Sequence, residues 1–125
     1  MSNQSGVARG LLSLADVDAV NRRIGELLGP MGPWFVCPHD SDDGCDCHKP
    51  APGLLVRAAT ALGVAPHECA VIGDTAADLG AADAVGARGV LVPNEVTRRE
   101  EIVAAHETAP DIVSAVERLL AEAMA

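Results

Sequence analysis

The stretch from Cys69 to Val92, CAVIGDTAADLGAADAVGARGVLV, decides the fold. Cys69-Ala-Val-Ile72 is a continuous apolar run of strand length, and Gly73-Asp74-Thr75 breaks it. Ala76 to about Val85 reads as a helix that stops near Gly86, and Gly89-Val-Leu-Val92 is a second buried strand. Two such strands joined by a helix form a parallel unit, because strands covered on both faces lose the polar alternation of half-exposed ones.

The same grammar runs outward in both directions. Asp16 to Leu28 carries Val17, Val20, Ile24, Leu27 and Leu28 at helical spacing and is stopped by Gly29-Pro30. Trp34-Phe-Val36 reads as a short buried strand. Pro52 opens a helix with Leu55, Ala58, Ala59 and Leu62 facing inward and Gly63 as its stop. Thr97-x-x-Glu100 reads as a capping box for a fourth helix. Pro110-Asp111 opens the last, with Ile112, Val113, Val116, Leu119 and Leu120 on one face. The first ten residues, MSNQSGVARG, are polar and read as a loop. Strands alternating with helices predict a single α/β domain over residues 1–125, with a parallel sheet and flanking helices. In such sheets the chemistry lies beyond the carboxyl ends of the strands, here the loops after Val36, Ile72 and Val92.

Apolar residues make up 49% of the chain and aromatics only 2%, so the core is built from Ala, Val, Leu and Ile. A net charge of -9 argues against a nucleic-acid partner, which needs a basic face. It leaves room for a small phosphorylated ligand, because a metal ion and one or two local cations outweigh the global field at short range. No apolar run is long enough to cross a bilayer, and no secretory signal is read. Three of the four cysteines lie between positions 37 and 47, while Cys69 sits in an apolar run and reads as core. Clustered thiols without an export signal read as metal ligands in a cytoplasmic protein rather than as disulfides.

Those thiols belong to the run Cys37-Pro-His39-Asp-Ser-Asp-Asp-Gly-Cys45-Asp-Cys47-His-Lys49-Pro. Cys37, His39, Cys45 and Cys47 are the ligand set of a closed tetrahedral Zn²⁺ site, structural because no position is left for water. The plainer alternative is a reduced loop with no metal. A redox pair lacks the usual two-residue spacer, and a calcium loop through Asp40, Asp42 and Asp43 fails on register. Lys49, just past the pinned loop, is a charge suited to phosphate.

Asp74 stands at the tip of a buried strand, and Asp78 follows one helical turn later on the same side. Such a pair can hold Mg²⁺, with Asp78 acting either directly or by orienting its neighbours; the alternative for Asp74 is a helix cap. Ser2-Asn3-Gln4-Ser5-Gly6 offers hydroxyls, amides and backbone N–H groups that suit phosphoryl oxygens, and Arg9 adds a charge. The alternative there is an ordinary solvated chain end. His67 and His106 read as solvated.

Three segments together resemble the haloacid dehalogenase-like phosphohydrolases. The likeness is to the small branch without a large cap domain that contains heptose-bisphosphate and histidinol-phosphate phosphatases. Ser2 to Gly10 looks like that branch's second motif, Cys37 to Pro50 its zinc loop and third motif, and Gly73 to Asp78 its fourth. The resemblance implies a Rossmann-like three-layer fold and a Mg²⁺-dependent phosphatase acting on a small phosphorylated metabolite, a monomer when complete. It implies that Ser2 contacts the transferring phosphoryl group and Lys49 neutralises its charge. Asn3, Gln4 and Ser5 would line the substrate site, with Arg9, His48 and Thr75 completing the set. Asp74 would bind Mg²⁺, and the Cys/His quartet would bind structural Zn²⁺. The residue before the lysine is usually a substrate-recognising arginine in this family; here it is His48, which lacks a bidentate grip.

The family attacks phosphate with an aspartate of an Asp-x-Asp motif at the end of its first strand. No Asp-x-Asp followed by Gly-Thr occurs in this chain. The resemblance puts that strand a few dozen residues before Ser2 and centrally in the sheet, so a gap is expected between the strands on either side of it. Met1 is then expected to be an internal position, and the 125 residues alone are expected to lack turnover. The rival expectation is a non-catalytic, zinc-stabilised module that binds phosphorylated ligands or a protein partner.

Overall fold

A computed structural model describes residues 1–124. The elements in chain order are β1 (Ser2–Asn3), α1 (Ser5–Ala8), α2 (Leu14–Leu28), β2 (Val36–Cys37), α3 (Gly53–Leu62), β3 (Ala70–Gly73), α4 (Ala76–Ala84), β4 (Arg88–Leu91), α5 (Arg99–Ala104) and α6 (Ile112–Ala123). All strand pairing is parallel. β1 pairs with β2, Ser2 opposite Val36, and β3 pairs with β4, from Ala70 opposite Arg88 to Gly73 opposite Leu91. The two pairs form separate two-stranded sheets among the described residues, the gap expected from the resemblance.

The amino-terminal residues are not the loop expected from their polarity. Ser2 N–H donates to Phe35 C=O at 3.0 Å and Gln4 N–H to Cys37 C=O at 2.8 Å, and a helical turn follows. Backbone pairing to β2 makes this strand, so it needs no apolar signature. Leu14–Leu28 starts two residues earlier than its periodicity indicates, because Ser13 and Asp16 close a reciprocal capping box.

The core lies around α3. Leu54 packs with Cys37 and Cys47, while its neighbour Leu55 packs with Val71 of β3, Ala82 of α4 and Ala87. One helix therefore ties the cysteine loop to the β3–α4–β4 unit through two adjacent side chains. Leu62, expected on the inward face, is exposed in the last turn before Gly63, where no element covers it. A third cluster joins Val90 of β4 to Ala109 and to Ala115 of α6, whose first turn is capped by Asp111 accepting from Ser114 N–H at 2.7 Å. The outer residues Val20, Leu27, Leu28, Ile112, Val113 and Leu120 of the expected apolar stripes are more than half exposed. Their spacing is helical as read, but only the Val17 and Ala115 sides of these helices meet a partner.

The box expected at Thr97 and Glu100 is displaced by one residue. Glu101 Oε2 accepts from Arg98 N–H at 2.9 Å, leaving the Thr97 hydroxyl free to donate to Asp74 C=O at 2.8 Å.

Candidate functional site

The carboxyl end of β3 runs into α4 through Gly73-Asp74-Thr75. A Cβ on Gly73 would lie 2.3 Å from an Asp78 carboxylate oxygen, so only glycine admits the carboxylate this close. Asp78 is the third residue of α4 and accepts at Oδ2 from Asp74 N–H at 3.1 Å, Thr75 N–H at 3.2 Å and the Thr75 hydroxyl at 3.0 Å. These contacts satisfy helix-start donors that have no partner within the helix. Its other oxygen accepts from the Lys49 ammonium.

Both side chains of that ion pair are nearly enclosed, at 11% and 9% exposure. Burial works to raise the Asp78 carboxyl, but the Lys49 ammonium and the Thr75 donors outweigh it and leave it below the ordinary aspartate value.

Lys49 is also held by its backbone. Its N–H donates to Asn3 Oδ1 at 2.9 Å, and Asn3 Nδ2 donates back to its C=O at 3.1 Å. Asn3 lies on β1, so a side-chain amide here does what a neighbouring strand would do.

Upstream of Lys49, the candidate ligand atoms of Cys37, His39, Cys45 and Cys47 lie within 4.8 Å of one another. Zn–S bonds of about 2.3 Å place tetrahedral ligands at comparable mutual distances, so the quartet fits Zn²⁺. Cys37 and Cys47 are buried against Leu54. Burial, followed by the Cys47 thiol, pushes the Cys37 thiol up to about 12. Cys45 lies at about 7, where backbone N–H groups of Cys47 and His48 overcome the opposing effect of burial. The loop is braced at its acidic tip by Arg9, whose Nε and Nη2 reach Asp40 at 2.9 and 3.0 Å. It is braced at its far end by Gly53 N–H, which donates to Asp46 C=O at 2.8 Å.

Ser2, Asn3, Lys49, Asp74, Thr75 and Asp78 line one cleft of about 650 Å³. Asp74 and Thr75 are exposed in it. The remaining sequence candidates lie elsewhere. Gln4 contacts the Ser2 hydroxyl at 3.3 Å but lines a separate hollow against α2. Ser5 begins α1, Arg9 is spent on Asp40, and the His48 ring nitrogen lies 3.2 Å from the His39 carbonyl oxygen. None of these four lines the cleft.

Sequence reasoning pointed to the loop after β4 but missed its residues. Asn94 Nδ2 donates to Asp74 Oδ2 at 2.7 Å, Glu101 Oε1 accepts from Ala76 N–H at 2.8 Å, and Arg98 and Glu101 line the cleft. The signal available was position alone: the loop follows a strand's carboxyl end.

The model of the HAD-hydrolase-like family matches residues 46–119. The D-glycero-beta-D-manno-heptose-1,7-bisphosphate 7-phosphatase of Pseudomonas aeruginosa is 44% identical over 95 residues, covering 73% of this chain and 53% of that protein. The enzyme of the same name from Bordetella bronchiseptica is 34% identical over 130 residues, covering 98% of this chain and 73% of that protein. The crystal structure of D,D-heptose 1.7-bisphosphate phosphatase from B. bronchiseptica, complexed with magnesium and phosphate, is similar at a TM-score of 0.79 and 34% identity. That match covers 96% of this chain and 72% of the solved one. The chain spans about half the length of the Pseudomonas relatives it matches. A family match over more than half the chain and a fold shared along nearly all of it lead to one conclusion: the protein belongs to the HAD-hydrolase-like family.

Proposed function

We propose that this chain carries the phosphoryl- and metal-binding part of a phosphatase site for a small phosphorylated sugar, a heptose bisphosphate in the first instance. The observation that carries it is the convergence of Ser2, Lys49 and Asp74 on one cleft, from three segments far apart in sequence. The Ser2 hydroxyl and the Lys49 ammonium supply a donor and a positive charge for phosphoryl oxygens. Asp74 offers a hard carboxylate oxygen for Mg²⁺, which supplies charge neutralisation in phosphoryl transfer. Cys37, His39, Cys45 and Cys47 hold Zn²⁺ as a brace that keeps Lys49 in place. The sugar assignment follows the relatives' names.

Each carboxylate lining the cleft already accepts hydrogen bonds: Asp78 from Lys49 and Thr75, Asp74 from Asn94, and Glu101 from Ala76 N–H. The resemblance implies an attacking aspartate in an Asp-x-Asp-Gly-Thr motif, which these 125 residues do not contain.

The test compares this chain with a fusion that adds the amino-terminal strand of the Pseudomonas aeruginosa relative. Phosphate release from heptose 1,7-bisphosphate and from histidinol phosphate is measured with Mg²⁺. The expected result is no turnover by the chain alone. The fusion should be active, prefer the heptose bisphosphate, and lose activity on Asp74→Asn. Preference for histidinol phosphate overturns the sugar assignment. A folded fusion that binds phosphate without hydrolysing it favours the non-catalytic module.

A further inference from the structure

The loop between β4 and α5 is organised around Asn94 and faces Asp74. Asn94 Oδ1 accepts from the N–H groups of Val96 at 2.9 Å and Thr97 at 3.1 Å, so its side chain caps its own turn. Its backbone N–H donates to the Thr97 hydroxyl at 3.0 Å, and that hydroxyl donates to Asp74 C=O at 2.8 Å. The remaining end of the carboxamide, Nδ2, donates to Asp74 Oδ2 at 2.7 Å. Asp74 N–H is held by Asp78 Oδ2, and the next turn by Glu101 through Ala76 N–H. Asp74 is thus fixed at its N–H, its C=O and one carboxylate oxygen. Its other oxygen, Oδ1, has no hydrogen-bond partner among the described residues.

From this we infer that Asn94 is a positioning residue that presents Asp74 Oδ1 to the metal ion. The inference rests on the proposal that Asp74 binds Mg²⁺. Mg²⁺ demands near-octahedral geometry from few protein ligands, so a carboxylate that rotates freely is a poor partner for it. A donor locked on Oδ2 sets the carboxylate plane and favours ligation by one oxygen. An amide does this without charge. A lysine or arginine in its place would repel the dication, and an aspartate would compete as a second ligand. Groups that orient a metal ligand typically change metal affinity by about 10-fold or more when removed.

The test uses Mn²⁺ as a paramagnetic probe on the ¹⁵N-labelled, zinc-loaded chain. Mn²⁺ should broaden the amide resonances of residues 73–76 in the unaltered protein, and Asp74→Asn should abolish this. Asn94→Ala should need about 10-fold more Mn²⁺ for the same broadening, with zinc content unchanged and the chain still folded. Equal Mn²⁺ sensitivity of Asn94→Ala and the unaltered chain, with Asp74→Asn still inactive as a binder, overturns the role of Asn94 and leaves Asp74 as the ligand. No local broadening in the unaltered chain overturns Asp74 itself, and Asn94 with it. A second measurement needs no variant. The Asn94 side-chain NH₂ resonances should keep their hydrogen-bonded positions as Mg²⁺ is titrated in. Their shift to free-amide positions would mean that the metal displaces Asn94, contrary to the inference.

Discussion

Asn3 and Lys49, 46 residues apart, are joined by two hydrogen bonds of opposite sense, at 2.9 Å into Asn3 Oδ1 and 3.1 Å out of Asn3 Nδ2. A side chain that reads as a substrate ligand lines the cleft and also holds the backbone of the residue proposed to bind phosphate. Asn3→Ala should lower stability by about 1–2 kcal/mol, the range for two partly buried hydrogen bonds, and weaken inorganic phosphate binding. Asn3→Asp keeps the acceptor and loses the donor, so it should fall between. Chemical denaturation and calorimetric titration with phosphate measure both; unchanged phosphate affinity in Asn3→Ala would refute the positioning.

The Lys49–Asp78 pair makes a pH-dependent contribution. The folded carboxyl lies below its ordinary value, so the unfolded chain takes up the proton first. Its stabilisation is complete above about pH 4 and fades as pH falls below that, through the folded value. Asp78→Asn should cost about 2–3 kcal/mol at neutral pH, since it leaves a nearly enclosed ammonium without its charge partner. It should also flatten the loss of stability on acidification. Denaturation midpoints between pH 3 and 7 check this; parallel acid limbs in both proteins would rule it out.

Zinc removal should unfold the loop between Cys37 and Lys49. Cys37 is fully buried and its thiol lies at about 12 without metal, so metal binding must release protons and affinity must fall as pH falls. Elemental analysis should find one zinc per chain. A chelator should lower the thermal midpoint and change the fluorescence of Trp34, three residues from Cys37. Cys37→Ser should behave like the chelated protein. A metal-free chain with the same midpoint would contradict the assignment.

Away from the cleft's lining residues, Glu107 is gripped by Arg88 at 2.8 Å and Arg118 at 3.0 Å. The Arg88 guanidinium first, with Arg118 helping against burial, holds its carboxyl at about 2. This network joins β4 to α6 and is present above about pH 4.5, then lost as pH falls toward 2. Both arginines are more than a third exposed, so solvent screens the pair and Glu107→Gln should cost only about 1 kcal/mol. The loss should shrink steadily below about pH 4.5 and be nearly gone by about pH 2 in urea titrations.

How far each feature was legible follows the distance over which it is built. The β3–α4–β4 unit was readable because its apolar runs, the Gly73 break and the Gly86 stop are all local. The Cys/His quartet was readable because four donors fall within eleven residues. The amino-terminal strand was hidden because its partner, not its own side chains, makes it a strand. Arg9 was read toward substrate, yet Asp40 holds it from 31 positions away. Asn94 carried no signal beyond its place after a strand's end, because its partner Asp74 lies 20 positions upstream.

The amino-acid order alone therefore determined the class of fold, the Cys/His cluster and the acidic strand tip, since each is a short-range pattern of spacing, backbone preference and donor chemistry. Only the tertiary structure decided which groups those patterns face: Asp78 on Lys49, Asn3 behind Lys49, Asn94 on Asp74. Each of these contacts closes a loop of 20 to 46 residues. The entropy of such closure is met by burial around Leu54 and Leu55, which no single segment displays.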